Sequence, residues 1–195
     1  MPEWKEIVGK SFSPDEFVTY CNGLKWPSWR PSFIVLHNTE IPSLAQVPNG
    51  FSEKHMKGFV AYYRDEKKWS AGPHLFVDDR KIWVFTPLTT SGVHSPSWNS
   101  VALGLEMLGS YEVESFNSGR GKQVRNNAVA AMATLSAVLS FSPSTMRLHR
   151  EDPLTTHLCP GKAVSKAAVI QQVNDLLAAR HPGEHAASEP LPLDD

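Results

Sequence analysis

The chain has 195 residues, 41% of them hydrophobic and 20% charged, with a formal net charge of −1. That length holds one well-cored domain and is short for two, and the composition is that of an ordinary globular protein. The charge lacks the basic surplus on which phosphate-driven nucleic-acid binding relies, so no nucleic-acid partner is expected. No run approaches the roughly 18 apolar residues of a membrane span, so no membrane insertion is expected either. The opening MPEWKEIVGK has no apolar core of a signal peptide, and synthesis in the cytoplasm without a classical leader is expected. Two cysteines, Cys21 and Cys159, are too few for a disulfide framework, and Cys21 reads as a buried thiol. Six tryptophans suit a saccharide or peptide cleft and core packing equally well.

In chain order, FSPDEFVTYCNG predicts a short helix. Ser13 is the N-cap, Pro14 fills the first turn, Glu16 closes a capping box, Phe12 and Phe17 form a staple, and Asn22-Gly23 ends it. Phe33 to Leu36 is an apolar, β-branched run bounded by Pro31 and by His37-Asn38-Thr39, which predicts a buried strand with a polar cluster at its C-terminal end. A second helix is expected near Ser52, with Met56, Phe59, Val60 and Tyr63 on one stripe. HLFVDDRKIWVFTP reads as a hairpin turning at Asp78-Asp79-Arg80. Val101 to Leu108 alternates large apolar residues with Ala102, Gly104 and Glu106, which predicts a strand with open room above its small-residue face.

The polar connection GSYEVESFNSGRGKQ precedes a helix carrying Val124, Ala128, Met132, Leu135 and Leu139 and ending before Pro143. TMRLH reads as a last short strand and GKAVSKAAVIQQVNDLLAA as a last helix. Strands and helices intermix, which predicts an α/β fold: a single domain with a mixed central β-sheet flanked by helices. Residues 1–30 are expected to form an N-terminal helical extension packed on a domain of residues 31–180. The Pro-rich, acidic residues 181–195 are expected to form a mobile tail.

Eight histidines are too many to treat as ligands by default, but position singles some out. His37 and His149 each end a predicted strand. Cys159 precedes Pro160-Gly161 at the expected mouth of the last helix, whose N-terminus would lower the thiol pKa. Two imidazoles and a thiolate leave one open position on Zn²⁺, the catalytic rather than the structural arrangement. The tight set His149, His157 and Cys159 does not fit a four-ligand structural knuckle. Spacing alone reaches a catalytic zinc site with an acid nearby.

Four segments in order carry a resemblance: FIVLHNTE, GPHLFVDDRKIWVFTPL, HSPSWNSVALGLEMLG and LHREDPLTTHLCPGKAV. Together they resemble the type 2 N-acetylmuramoyl-L-alanine amidases, the zinc amidase family that includes phage endolysins, cytosolic anhydromuramyl-peptide amidases and animal peptidoglycan recognition proteins. The resemblance implies one zinc ion per chain held by His37, His149 and Cys159, with Glu106 handling protons. It places His157 where many members carry a lysine that binds the oxyanion, a role histidine fills by hydrogen bonding or when protonated. Pro73 stands where some phage members have a tyrosine, so proton transfer is expected to rest on Glu106. His74 is implied on the hairpin beside the metal, with a structural role as the alternative, and His74, His94, Trp98 and Asn99 are expected to bind substrate.

The activity implied is hydrolysis of the amide between N-acetylmuramic acid and L-alanine, on peptidoglycan or muropeptides, by a monomer acting on the wall as a phage or prophage endolysin. The alternatives are a cytosolic muropeptide-recycling amidase and a non-catalytic peptidoglycan receptor. A zinc-free structural domain is the reading that metal analysis would separate from all of these.

Overall fold

Alternation along three parallel strands decides which side of the sheet becomes core and which becomes a site. The computed structural model describes residues 3–180. Strands β2 (Phe33–Asn38), β3 (Leu75–Val77) and β5 (Ala102–Met107) turn Ile34, Leu36, Leu75, Val77, Leu103, Leu105 and Met107 to one face. There they pack under α1 (Pro14–Asn22), α3 (Gly119–Leu139) and α4 (Lys166–Arg180). The intervening positions face the other way, so Phe76 joins a second cluster with Phe51, Met56, Tyr63, Trp83, Phe85 and Leu108. This second face is covered in part by α2 (Glu53–Ala61) and a π-helical turn at Tyr62–Glu66.

With β1 (Lys10–Phe12), β4 (Ile82–Val84) and β6 (Arg147–Leu148), the sheet has six strands in the order β1-β4-β3-β5-β2-β6. β6, β2, β5 and β3 run parallel, while β4 and β1 are antiparallel to their neighbours. The fold is therefore the single-domain mixed sheet expected. The tail expectation for residues 181–195 lies outside the described residues.

The first helix forms as its sequence dictates. The Ser13 hydroxyl accepts from the Glu16 amide at 3.3 Å, the Glu16 carboxylate accepts from the Ser13 amide at 2.6 Å, and the Phe12 and Phe17 rings lie 6.3 Å apart. Gly23 ends it with φ −80°, so no left-handed cap is used. The first thirty residues also give more than a helix, because Lys10–Phe12 pairs with β4 and becomes the sheet edge. α3 starts at Gly119, inside the segment expected to be loop, because two glycines there read as breakers. α4 starts only at Lys166, five residues later than expected, with Ser165 Oγ accepting from the Ala168 amide at 3.4 Å.

Candidate active site

Parallel pairing brings the candidate residues together. His37 on β2 lies in register with Glu106 on β5, and Glu106 with Phe76 on β3, so both polar side chains emerge on the second face near the strands' C-terminal ends. Leu148 on β6 pairs with Leu36, which puts His149 at the end of the neighbouring strand, with its ring 4.3 Å from that of His37. The loop after β6 then folds back. The Arg150 amide donates to the Cys159 carbonyl at 2.8 Å, and its guanidinium donates to the carbonyls of Gly161 and Val164 at 2.8 and 3.1 Å. Gly161 has φ +99°, and a Cβ there would collide with the main chain of Tyr111 and Glu112, so only glycine lets this loop close. One donor atom from each of His37, His149 and Cys159 then lies within 4.8 Å of the others. Glu106 Oε1 is 3.9 Å from His37 Nδ1. All four line a cavity of about 840 Å³.

Burial sets the charge states. His37 is desolvated and beside His149 and His94, which holds its pKa well below the ordinary value. Burial lowers His149 to about 4. Both imidazoles are therefore neutral and have lone pairs to offer. Hydrogen bonding decides which ones. His94 Nε2 lies 3.2 Å from the Ala102 carbonyl, which can only accept, so that nitrogen carries the proton. His94 Nδ1 then accepts from His37 Nε2–H at 3.2 Å, and the His37 lone pair is left on Nδ1, on the side of Glu106. Burial pushes Glu106 up to about 8. Burial, with the Glu106 carboxylate nearby, also raises the Cys159 thiol, against the Asn38 amide that donates to its sulfur at 3.3 Å. The expected depression by a helix N-terminus is absent, because α4 begins seven residues after Cys159, and a bound cation must provide the charge that makes a thiolate.

A family model for N-acetylmuramoyl-L-alanine amidases matches residues 27–162, a stretch that contains the whole constellation. The chain belongs to this family. The fold matches solved members. N-acetylmuramoyl-L-alanine amidase LysC from Clostridium intestinale URNW superposes with a TM-score of 0.59 at 19% identity, covering 78% of this chain and 94% of that one. The endolysin amidase LysCS from the same organism gives 0.55 at 19%, covering 78% and 92%. A point mutant of Drosophila PGRP-LB in complex with tracheal cytotoxin gives 0.58 at 17%, covering 78% and 89%. At these identities the likeness is one of fold. No curated protein matches the sequence.

Within this amidase fold the remaining candidates separate. His157 is exposed, stacks on His149 at 5.5 Å and 21°, and lines both the main cavity and an adjoining one of about 370 Å³. His94 is buried behind His37, with its ring over Gly104, where a Cβ would collide with it, and its small exposed edge lines both cavities. The room expected above that strand face is therefore filled by an imidazole. His74 is fully buried and lines neither cavity. Its Nδ1 accepts from the Gly104 amide at 3.0 Å and its Nε2 meets the Thr90 carbonyl at 2.9 Å, so both nitrogens are taken by backbone and none is left for substrate.

Asn99 lines the smaller cavity, while its Oδ1 accepts from the amides of His94 and Ser95 at 2.7 and 2.8 Å and shapes the loop. Trp98 packs edge-on against Phe33 at 5.8 Å and lines neither cavity. Sequence reasoning missed the opposite wall, where Lys54, His55, Phe59, Tyr62, Tyr63 and Lys67 come from α2 and the turn after it. Of these, Phe59 and Tyr63 belong to the stripe that reads as core, and only the folded course of α2 and the π turn shows which residues face the cleft. Of the six tryptophans, Trp69 lines the cavities.

Proposed function

We propose that this protein is a zinc-dependent N-acetylmuramoyl-L-alanine amidase that cleaves the amide between the lactyl group of N-acetylmuramic acid and L-alanine, in the setting of a phage or prophage endolysin. The observation that carries the reading is the convergence of His37, His149 and Cys159 within 4.8 Å, with Glu106 beside them in an open cavity. Two neutral imidazoles and one cysteine sulfur suit zinc, and a three-donor set leaves room for reactants. Zinc held there would supply a Lewis acid that acidifies water and polarises an amide carbonyl. Glu106 accepts the proton of the attacking water and delivers it to the nitrogen of L-alanine as the carbon–nitrogen bond breaks, leaving a lactyl carboxylate and a free amine. His157 stands at the mouth of the site, where an N–H can meet the carbonyl oxygen as it gains charge.

Family membership supports the bond specificity, and the tracheal cytotoxin seen on PGRP-LB supports a peptidoglycan-derived substrate. The endolysin among the matching folds supports the lytic setting. Mass spectrometry of a peptidoglycan digest tests the reading. Stem peptides with a free N-terminal L-alanine are expected; new sugar reducing ends, or wall binding without any new amine, would contradict it.

A further inference from the structure

The polar connection between β5 and α3, with the first turn of α3, sends two charged side chains to a single residue behind the cleft wall. The Glu114 carboxylate accepts from the Leu44 amide at 3.1 and 3.3 Å, and its Oε2 also accepts from the Ser110 amide at 2.6 Å. Arg120 Nη1 donates to the Leu44 carbonyl, and its Nη2 donates to the Val47 carbonyl at 2.8 Å. Leu44 thus has its amide held by an anion and its carbonyl by a cation, the stronger kind of hydrogen bond at each end. The same guanidinium grips Asp79, at the turn of the β3–β4 hairpin, through Nε and Nη2 at 2.8 and 2.7 Å. A planar fork of five N–H donors can hold three partners at once, which the single point charge of an ammonium cannot.

What these bonds fix is a turn of the cleft. The chain leaves β2 just after His37. Thr39 Oγ1 donates to the Pro42 carbonyl at 2.7 Å and accepts from the Gly109 amide at 3.0 Å, and the Glu40 amide donates to the Gly109 carbonyl at 2.9 Å. Glu40, Ile41 and Pro42 then line the main cavity. Strand pairing ends before Leu44, so the far side of this turn is held by the clamp. Ile41 is 77% exposed, and Tyr62 on the opposite wall is 39% exposed. Both line the cavity, so apolar surface faces into the cleft from two sides, as it does where a ligand covers it. Glu114 and Arg120 line neither cavity, and any effect they have on substrate passes through Leu44 and Val47.

We propose that Arg120 and Glu114 are positioning residues for the substrate: by clamping Leu44 they set the turn that presents Ile41 to it. The inference rests on the amidase reading and adds to it a grip that lies outside the metal site.

Steady-state kinetics on a defined muropeptide separate positioning from plain structure. Ile41→Ala, at an exposed site, should raise KM roughly tenfold, with kcat, zinc content and melting temperature unchanged. Arg120→Ala should raise KM by a similar factor, and Arg120→Lys should recover only part of it, because an ammonium cannot span Asp79, Leu44 and Val47. Combining Ile41→Ala with Arg120→Ala should be scarcely worse than either alone, since both act through one contact; if Arg120→Ala does not fold, Arg120→Lys takes its place. A KM for Ile41→Ala equal to that of the unaltered protein would overturn the assignment. So would additive effects in the double variant, or a lower melting temperature on changing Arg120 with KM unmoved, because the clamp would then hold the fold and not the substrate. A native protein that releases no L-alanyl peptide at all fails the amidase reading instead, and that control tells the two failures apart.

Discussion

Burial acts on Cys159 and Glu106 in the same direction: each is protonated at neutral pH until a cation arrives. Zinc loading of metal-free protein at pH 7 should therefore release about one to two protons per ion, read by calorimetry in buffers of different ionisation enthalpy. Uptake without release would mean that the sulfur is not a ligand. Glu106→Gln should retain zinc and lose roughly 10²–10⁴-fold in kcat; a loss of metal instead would make the carboxylate a ligand and not a proton carrier. Behind His37, His94 is placed as a carboxylate or carbonyl is in many zinc sites: it takes the other N–H of the candidate ligand and fixes its tautomer. His94→Ala should weaken zinc binding roughly 10–100-fold in chelator competition, although His94 lies beyond the three donors. An unchanged affinity would return His94 to the cleft role expected from its loop.

The elements that carry the donors are tied by one carboxylate. Asp152 accepts from the Ser95 and Ser97 hydroxyls, each at 2.5 Å, and from the Ser97 and Leu154 amides at 3.1 and 2.9 Å, fastening the loop of His94 to the turn of His149. Burial works against its charge, but the two hydroxyls and two amides outweigh it and hold the carboxyl down at about 2. Because the folded value lies below the unfolded 3.8, the stability it contributes is complete above about pH 4 and is lost as pH falls through about 2. Asp152→Asn should cost about 1–3 kcal/mol at pH 7, and the gap to the unaltered protein should narrow in melts at about pH 3. A gap independent of pH would assign the loss to packing. Gly161→Ala should be worse tolerated than its size implies, destabilising by roughly 1–3 kcal/mol and weakening zinc binding, since the loop that presents Cys159 could no longer close on Tyr111.

Across the whole molecule, every strand but β1 was legible from alternation or apolar runs, the capping box at Ser13 from its Ser-x-x-Glu spacing, and the grouping of His37, Glu106, His149 and Cys159 from residue types near strand ends together with the family resemblance. What was not legible depends on tertiary contact. The gap above Gly104 filled by His94, the late start of α4 that strips Cys159 of its helix, and the π turn that aims Tyr63 at the cleft leave no periodic trace. Among the described residues no helix is long and apolar enough to cross a membrane. The proposed amide hydrolysis depends on one metal site built from two strand ends and a returning loop, with Glu106 on a third strand beside it. It is tested most directly by titrating zinc into metal-free protein while measuring L-alanyl amine released from peptidoglycan. Release should rise in proportion to zinc and level off at about one ion per chain; full release by the metal-free protein, or none at saturation, would contradict the account.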